Sequence, residues 1–272
     1  MSEAPTTAGS LFRQGRLDDA VAAASAAVKA QPSDLAARVL LAELLLFAGN
    51  LERADVILDA ASGVDPGAAV VMAEFRQLLR AETARRQLFR NGRVPEFLGE
   101  PTPAQRASLA ALVALRAGDF DTAAREAAAA EAGRPRAGGR AGEGRFDDFR
   151  DTDDLLAGTF EVLTTTGKYF WIPTERVASV TFHPPKRPRD LYLRRASMDV
   201  REGPDGEVYL PVVYTDPGAA ASPEQRLGRE SDWRELAPGL VRGVGQRTFL
   251  VGEDARGMME LAQLEFDEVA AG

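Results

Sequence analysis

The first half of the chain places its apolar residues with a helical period, and the pattern recurs. Leu11, Gly15, Leu17, Ala20 and Pro32 return as Leu45, Gly49, Leu51, Ala54 and Pro66, each pair 34 residues apart. That is the period of a tetratricopeptide repeat, a helix hairpin that buries its apolar face only by stacking on its neighbours. The small residues Gly15, Gly49, Ala20 and Ala54 are expected to let paired helices approach closely. The prolines mark where one hairpin ends and the next begins, with Asp65 capping a helix that starts at Pro66. Gly118, Phe120 and Ala123 echo Gly49, Leu51 and Ala54 at an offset of 69, which predicts a third hairpin out of strict register. Thr102, Pro103 and Gln105 form a capping box with proline at the first helical position. Between these hairpins, Pro66 to Asn91 is long enough for one helix of about six to seven turns. Leu78, Leu79, Ala81, Leu88 and Phe89 are expected on its buried side, and Asn91-Gly92 followed by Pro95 ends it.

The stretch from Gly133 to Gly144 has no apolar period and is rich in glycine and arginine, so it reads as a linker. It matches neither phosphate-loop spacing, and no strand precedes it. From Thr159 the period changes to two. Thr159–Thr164 and Tyr169–Pro173 read as a hairpin turning at Gly167, with Pro173 demoting its strand to a sheet edge. Arg176–His183, Tyr192–Met198 and Glu207–Tyr214 are further strands, the last following a Gly203-Pro204-Asp205-Gly206 turn. Thr215–Arg229 reads as a loop with a scrap of helix. Leu240–Val251 is one strand or a bent pair, and Met258–Phe266 is strand or short helix. The expected architecture has two domains. An all-α tetratricopeptide-like repeat spans residues 1–132. A Gly/Arg-rich linker spans 133–146, and a small strand-rich α+β domain spans 147–272.

Composition narrows the chemistry. Cysteine is absent, which excludes disulfides, thiolate nucleophiles and cysteine metal sites. One histidine, His183, excludes sites that need two imidazoles. The formal net charge of −8 argues against coating nucleic acid or a membrane. The first nine residues lack a basic and apolar leader pattern, and the most apolar stretch, Val39–Ala48, falls short of the roughly 20 residues of a membrane span. A cytoplasmic protein without cofactor or metal is expected.

Three clusters carry the remaining candidate chemistry. The run Asp147, Asp148, Asp151, Asp153 and Asp154 is interrupted by Phe149 and Arg150 and lacks the central glycine of a calcium loop. These residues read as a solvated, helix-capping turn, with partner binding and paired-carboxylate catalysis or a metal site as the alternatives. Lys186, Arg187, Arg189, Arg194 and Arg195 surround Tyr192. They read as a solvated basic face, against an acidic partner or nucleic acid. The large aromatics concentrate in the second half, where Trp171 and Trp233 serve either as core or as binding hot spots.

Read together, these segments resemble the ImpE/TagJ family over almost the full length. The resemblance begins at Leu11-Phe12-Arg13-Gln14-Gly15-Arg16-Leu17-Asp18-Asp19-Ala20. It is sharpest at Gly167-Lys168-Tyr169-Phe170-Trp171-Ile172-Pro173. It continues through Asp151-Thr152-Asp153, Asp190-Leu191, Pro211-x-x-Tyr214, Trp233-Arg234 and Gly243-x-Gly245-Gln246-Arg247. Thr174 stands where the family commonly has phenylalanine, and Tyr192 where tryptophan is common. The resemblance implies a non-catalytic adaptor of type VI secretion. Its implied partner is the amino-terminal amphipathic helix of the small contractile-sheath subunit, with an indirect link to the ClpV ATPase. Candidate partner-binding residues are Asp151, Asp153, Tyr169, Trp171, Asp190, Tyr192, Arg194, Tyr214, Trp233 and Arg247. A tetratricopeptide scaffold for another assembly is the alternative. An enzyme built on Asp151, Asp153 and His183 in a closed pocket is the second.

Overall fold

Three helix pairs carry the repeat. They are α1 (Ala8–Arg13) with α2 (Leu17–Ala30), α3 (Leu35–Phe47) with α4 (Leu51–Ser62), and α6 (Pro103–Arg116) with α7 (Phe120–Gly133); the long α5 (Ala69–Asn91) lies between the second and third pairs. The computed structural model describes residues 7–63, 66–215 and 222–268. Asp34, Asn50 and Asp119 cap α3, α4 and α7 by accepting a backbone N–H of the first turn. Thr102 and Gln105 form the expected capping box on α6.

The small residues divide their work differently from the expectation. Gly15, Gly49 and Gly118 have φ of 81°, 79° and 75°, so each is the left-handed residue that ends the first helix of its pair. The close approach falls to Ala20, Ala54 and Ala123, all fully buried. Pro32 is not a first helical residue; it precedes the cap Asp34 by two positions. The Asp65 cap lies outside the described residues. A short 3-10 turn, Pro66–Ala68, leads into α5.

α5 has 23 residues, about 35 Å at 1.5 Å per residue. Gly92 ends it in the left-handed conformation. Leu78, Leu79, Ala81, Leu88 and Phe89 are buried as the spacing predicts, and Glu82 and Arg85 are buried with them.

The second half builds one large antiparallel sheet and two small ones. The large sheet contains β1 (Gly139–Ala141), β2 (Gly144–Phe146), β4 (Thr159–Leu163), β5 (Tyr169–Pro173), β6 (Val177–Phe182), β7 (Leu193–Val200), β8 (Asp205–Pro211) and β13 (Gln263–Phe266). Their order is β2-β1-β13-β6-β7-β8-β4-β5, which leaves β5 and its Pro173 at an edge. A three-stranded sheet joins β3 (Phe149–Asp151), β11 (Thr248–Val251) and β12 (Asp254–Gly257), and a ribbon pairs β9 (Ser231–Ala237) with β10 (Leu240–Gly245). Leu240–Val251 is therefore the bent pair, and the helical scrap is α8 (Pro223–Arg226).

The expected linker at 133–146 is corrected. Its second part is the β1–β2 hairpin, hydrogen-bonded to β13 at the far edge of the large sheet. A Cβ at Gly139 would lie 2.1 Å from the Glu265 carbonyl oxygen, so the strand joins the sheet through bare backbone. Such a strand leaves no apolar alternation in the sequence.

One hydrophobic cluster runs from Leu11 through both halves to Phe266. At its sheet end, the Phe149 ring lies 5.4 Å from Phe160 and 5.0 Å from Phe249, both near-parallel. The basic run does not form a solvated face. Arg187 pairs with Glu43 of α3 and Arg189 with Glu74 of α5. The Arg189 guanidinium also lies between the rings of Phe75 (4.9 Å) and Tyr209 (5.8 Å). Tyr192 meets Phe47 edge-on at 5.3 Å, and Arg229 donates to the Phe12 carbonyl at 2.8 Å. The chain's own second half thus covers the residues that α1, α3 and α5 turn towards it.

Candidate functional site

The segments singled out in the sequence converge on a buried chain of alternating charges. Its centre is Glu161 on β4, a strand whose five residues are all buried. Arg85 of α5 donates from Nε to Glu161 Oε1 at 2.9 Å and from Nη2 to Oε2 at 3.0 Å. Arg247, between β10 and β11, donates to the same Oε2 at 3.0 Å. Tyr169 donates its hydroxyl to Glu161 Oε1 and accepts the Trp171 indole N–H at 2.6 Å. Tyr169 and Trp171 point the same way because they stand two residues apart on β5.

Two arms extend from this centre. Towards the helices, Arg85 lies 3.5 Å from Glu82, which also accepts from Arg86 (2.9 Å) and from the Tyr192 hydroxyl (3.1 Å). Arg86 continues to the Gly49 carbonyl at the α3–α4 turn, 3.0 Å away. Towards the small sheets, Arg247 donates to Asp151, which also accepts from the Tyr214 hydroxyl at 2.6 Å and the Asp153 amide at 2.9 Å. Asp153 then accepts from Arg242 Nε at 2.7 Å and the Gly243 amide at 3.1 Å. Four carboxylates thus face four guanidiniums, and the expected solvated acidic turn is instead a core element at Asp151 and Asp153.

The electrostatics follow from burial and pairing. Burial pushes the Glu161 carboxyl up, but the Arg85 and Arg247 charges with the Arg85 and Tyr169 hydrogen bonds outweigh it and hold it below the usual range. At Asp151 burial wins over Arg247, with the Asp153 charge adding to it, and the carboxyl is raised. Burial and the adjoining carboxylates push the Tyr169 and Tyr214 hydroxyls well above their ordinary value, which keeps them as donors.

Nine of the ten candidate partner-binding residues are buried in the folded chain. Asp151, Asp153, Tyr169, Trp171, Tyr192, Tyr214 and Arg247 belong to the charged chain. Asp190 accepts the Lys186 and Arg187 amides at 2.8 and 3.2 Å, holding the turn before β7. Arg194 donates to the Met258 carbonyl and lies over the Phe182 ring at 5.1 Å. Only Trp233 is exposed, at 44%, with its indole N–H donated to Thr152 at 2.8 Å. His183 is half-buried and shares a hydrogen bond with Ser197. Among the described residues, no hydrogen bond or ion pair joins it to Asp151 or Asp153, so the pocket expected around those three does not form.

Sequence reasoning missed Glu82, Arg85, Arg86, Glu161 and Arg242. A usable signal existed for two of them. Arg85 falls in phase with the apolar stripe of α5, and Glu161 interrupts an apolar strand. Charges at buried phases are expected to be paired.

The fold and its charged core define a helical-repeat scaffold locked to a β-sheet module. Residues 11–74 match the tetratricopeptide repeat, and residues 143–265 match the ImpE protein family. The type VI secretion system accessory component TagJ of Pseudomonas aeruginosa PAO1 is 31% identical over 263 residues, covering 96% of this chain and 91% of that protein. The crystal structure of protein VPA1032 from Vibrio parahaemolyticus aligns with a TM-score of 0.90 at 27% identity, over 97% of this chain and 98% of that one. The chain belongs to the ImpE/TagJ family.

Proposed function

We propose that the protein is a non-catalytic adaptor of type VI secretion. In this reading it binds the amino-terminal helix of the small contractile-sheath subunit in the cytoplasm and so connects the sheath indirectly to the ClpV ATPase. The observation that carries the reading is the near full-length similarity to an accessory component of that system. The charged core supports it. The carboxylates that the sequence offered for acid–base chemistry, Asp151 and Asp153, are held by Arg247 and Arg242 inside the second half. A helical repeat also supplies the kind of surface on which amphipathic helices dock. No helix among the described residues is long and apolar enough to cross a membrane.

The test is a pull-down of the small sheath subunit from the same bacterium, intact and without its first helix. Retention of the intact subunit and loss of the truncated one is the expected result. Failure to retain the intact subunit, with the protein folded by circular dichroism, rejects the sheath assignment.

A further inference from the structure

The helical stack stops one helix short. From α1 to α5 each helix packs on the one before it; there the series ends, and α6 pairs with α7 instead. In a hairpin array the first helix of a pair is followed by a second, which lies against it and against the second helix of the preceding pair. α5 holds the place of a first helix beside α4, and that companion is missing. The chain instead runs on to Gly92, passes Pro95, and docks on the sheet where the Glu96 amide donates to the Tyr169 carbonyl at 2.9 Å. The vacated position is the groove between α4 and α5.

Two adjoining hollows mark this groove. One, of 510 Å³, lies between the α3–α4 turn and the Arg86–Asn91 end of α5; the other, of 330 Å³, lies further along the two helices. Leu51, Glu52 and Thr83 line both. Leu51 and Leu79 give an apolar floor, and Val56 stands 64% exposed on the α4 rim. The α5 rim carries Arg80 and Arg90, both exposed. Arg76 is held by Asp55 and Asp59, and Arg86 by Glu82. Arg80 and Arg90, by contrast, meet no carboxylate among the described residues; Arg80 has only a 3.5 Å contact to Gln77. Two uncommitted guanidiniums beside an exposed valine favour an apolar ligand with carboxylates on its α5 side, while Glu52 on the α4 side favours polar or basic residues there.

We propose that this groove is the docking site for an amphipathic α-helix of the partner protein. Its apolar stripe would cover Leu51, Val56 and Leu79, and its carboxylates would meet Arg80 and Arg90. The two arginines are ten residues apart, about 15 Å along α5, which sets the docked helix at about three turns. The proposal rests on the adaptor reading and adds where the helix lies and what charge it bears.

The probe is a fluorescein-labelled synthetic peptide about four turns long, with a Leu/Ala stripe at helical spacing and glutamates on its flanks; a second peptide carries lysines instead. Fluorescence anisotropy with the full chain is expected to show the glutamate peptide binding roughly tenfold tighter than the lysine peptide. Arg80→Glu with Arg90→Glu reverses that preference, and Val56→Asp weakens both peptides. All three side chains are exposed, and an unchanged melting temperature verifies the fold. Equal binding of the two peptides, or a preference that survives the charge reversal, overturns the proposal. So does a sheath subunit that binds wild type and the doubly reversed variant equally. If wild type does not retain the sheath subunit at all, the sheath assignment fails while the peptide preference still decides the groove.

Discussion

Arg85 on α5 and Glu161 on β4 form a bidentate ion pair with both side chains fully buried, joining positions 76 residues apart. The pair ties the helical repeat to the large sheet. An ion pair removed from water gains little over an apolar substitute of the same shape, but breaking it strands a charge. The prediction is therefore asymmetric. Arg85→Met should destabilise the protein by about 3–5 kcal/mol. Adding Glu161→Gln should recover part of the loss, because it removes a buried carboxylate left with Arg247 as its one cation. Urea unfolding of the two single variants and the double variant checks this; additive losses would count against direct coupling.

The pH response of two glutamates should have opposite signs. The Glu161 carboxyl is lowered in the folded state. Its contribution is present above the unfolded value of about 4.3 and is lost as pH falls through its lower folded value. Glu43 is raised, because burial outweighs the Arg187 charge and hydrogen bond. Folding then favours its protonated form, so stability at this site falls as pH rises from the unfolded value through the raised folded one. Relative to wild type, Glu161→Gln should flatten the acid limb of the stability curve. Glu43→Gln should remove a decline on the high side of the carboxylate range. Chemical denaturation at a series of pH values reads both, and equal slopes in wild type and Glu43→Gln would contradict the second.

The repeat was legible because its signal is local. A 34-residue offset pins turn glycines and packing alanines, and both kinds of residue do their work within one hairpin. The β4–β5 hairpin was legible for the same reason, with its turn at Gly167 and proline at its edge. The hairpin at 139–146 was hidden, since glycine-rich backbone pairs with β13 more than a hundred residues later without an apolar pattern. The charge of Asp151, Asp153 and the basic run argues in the sequence for a surface position, yet most of them are buried. Their partners, Arg247, Arg242, Glu43 and Glu74, sit on distant elements that only the folded chain brings near. The family motifs pick out residues that the fold gathers largely in its buried core.

Gly243 stands at the crossing of that core. A Cβ there would lie 2.2 Å from Cε2 of Tyr214, so even alanine must displace the ring. The displaced ring would lose the Tyr214–Asp151 hydrogen bond, leaving a buried carboxylate with one donor fewer. Gly243→Ala is expected to cost about 1–3 kcal/mol from overpacking, with the lost bond in addition. Differential scanning calorimetry should show a lower melting temperature, and Gly243→Ala with Tyr214→Leu should be less destabilised than the sum of the single changes.

The two tryptophans should report the split between core and surface. Trp171 is fully buried and hydrogen-bonded to Tyr169, while Trp233 on β9 is 44% exposed. Trp171→Ala removes a large side chain from the junction of β5 with Gln105 of α6, whose amide donates to the Trp171 carbonyl at 3.2 Å. Its expected cost is about 3–5 kcal/mol. Trp233→Ala loses one exposed hydrogen bond and should stay within about 0.5–1.5 kcal/mol of wild type. Fluorescence separates them without unfolding. With Trp233→Phe, the remaining emission should be blue-shifted and resistant to iodide. With Trp171→Phe, it should be red-shifted and quenched. Iodide quenching of Trp171 in the folded Trp233→Phe variant would mean that the junction between helices and sheet opens in solution, which the sealed ion pairs around Glu161 forbid.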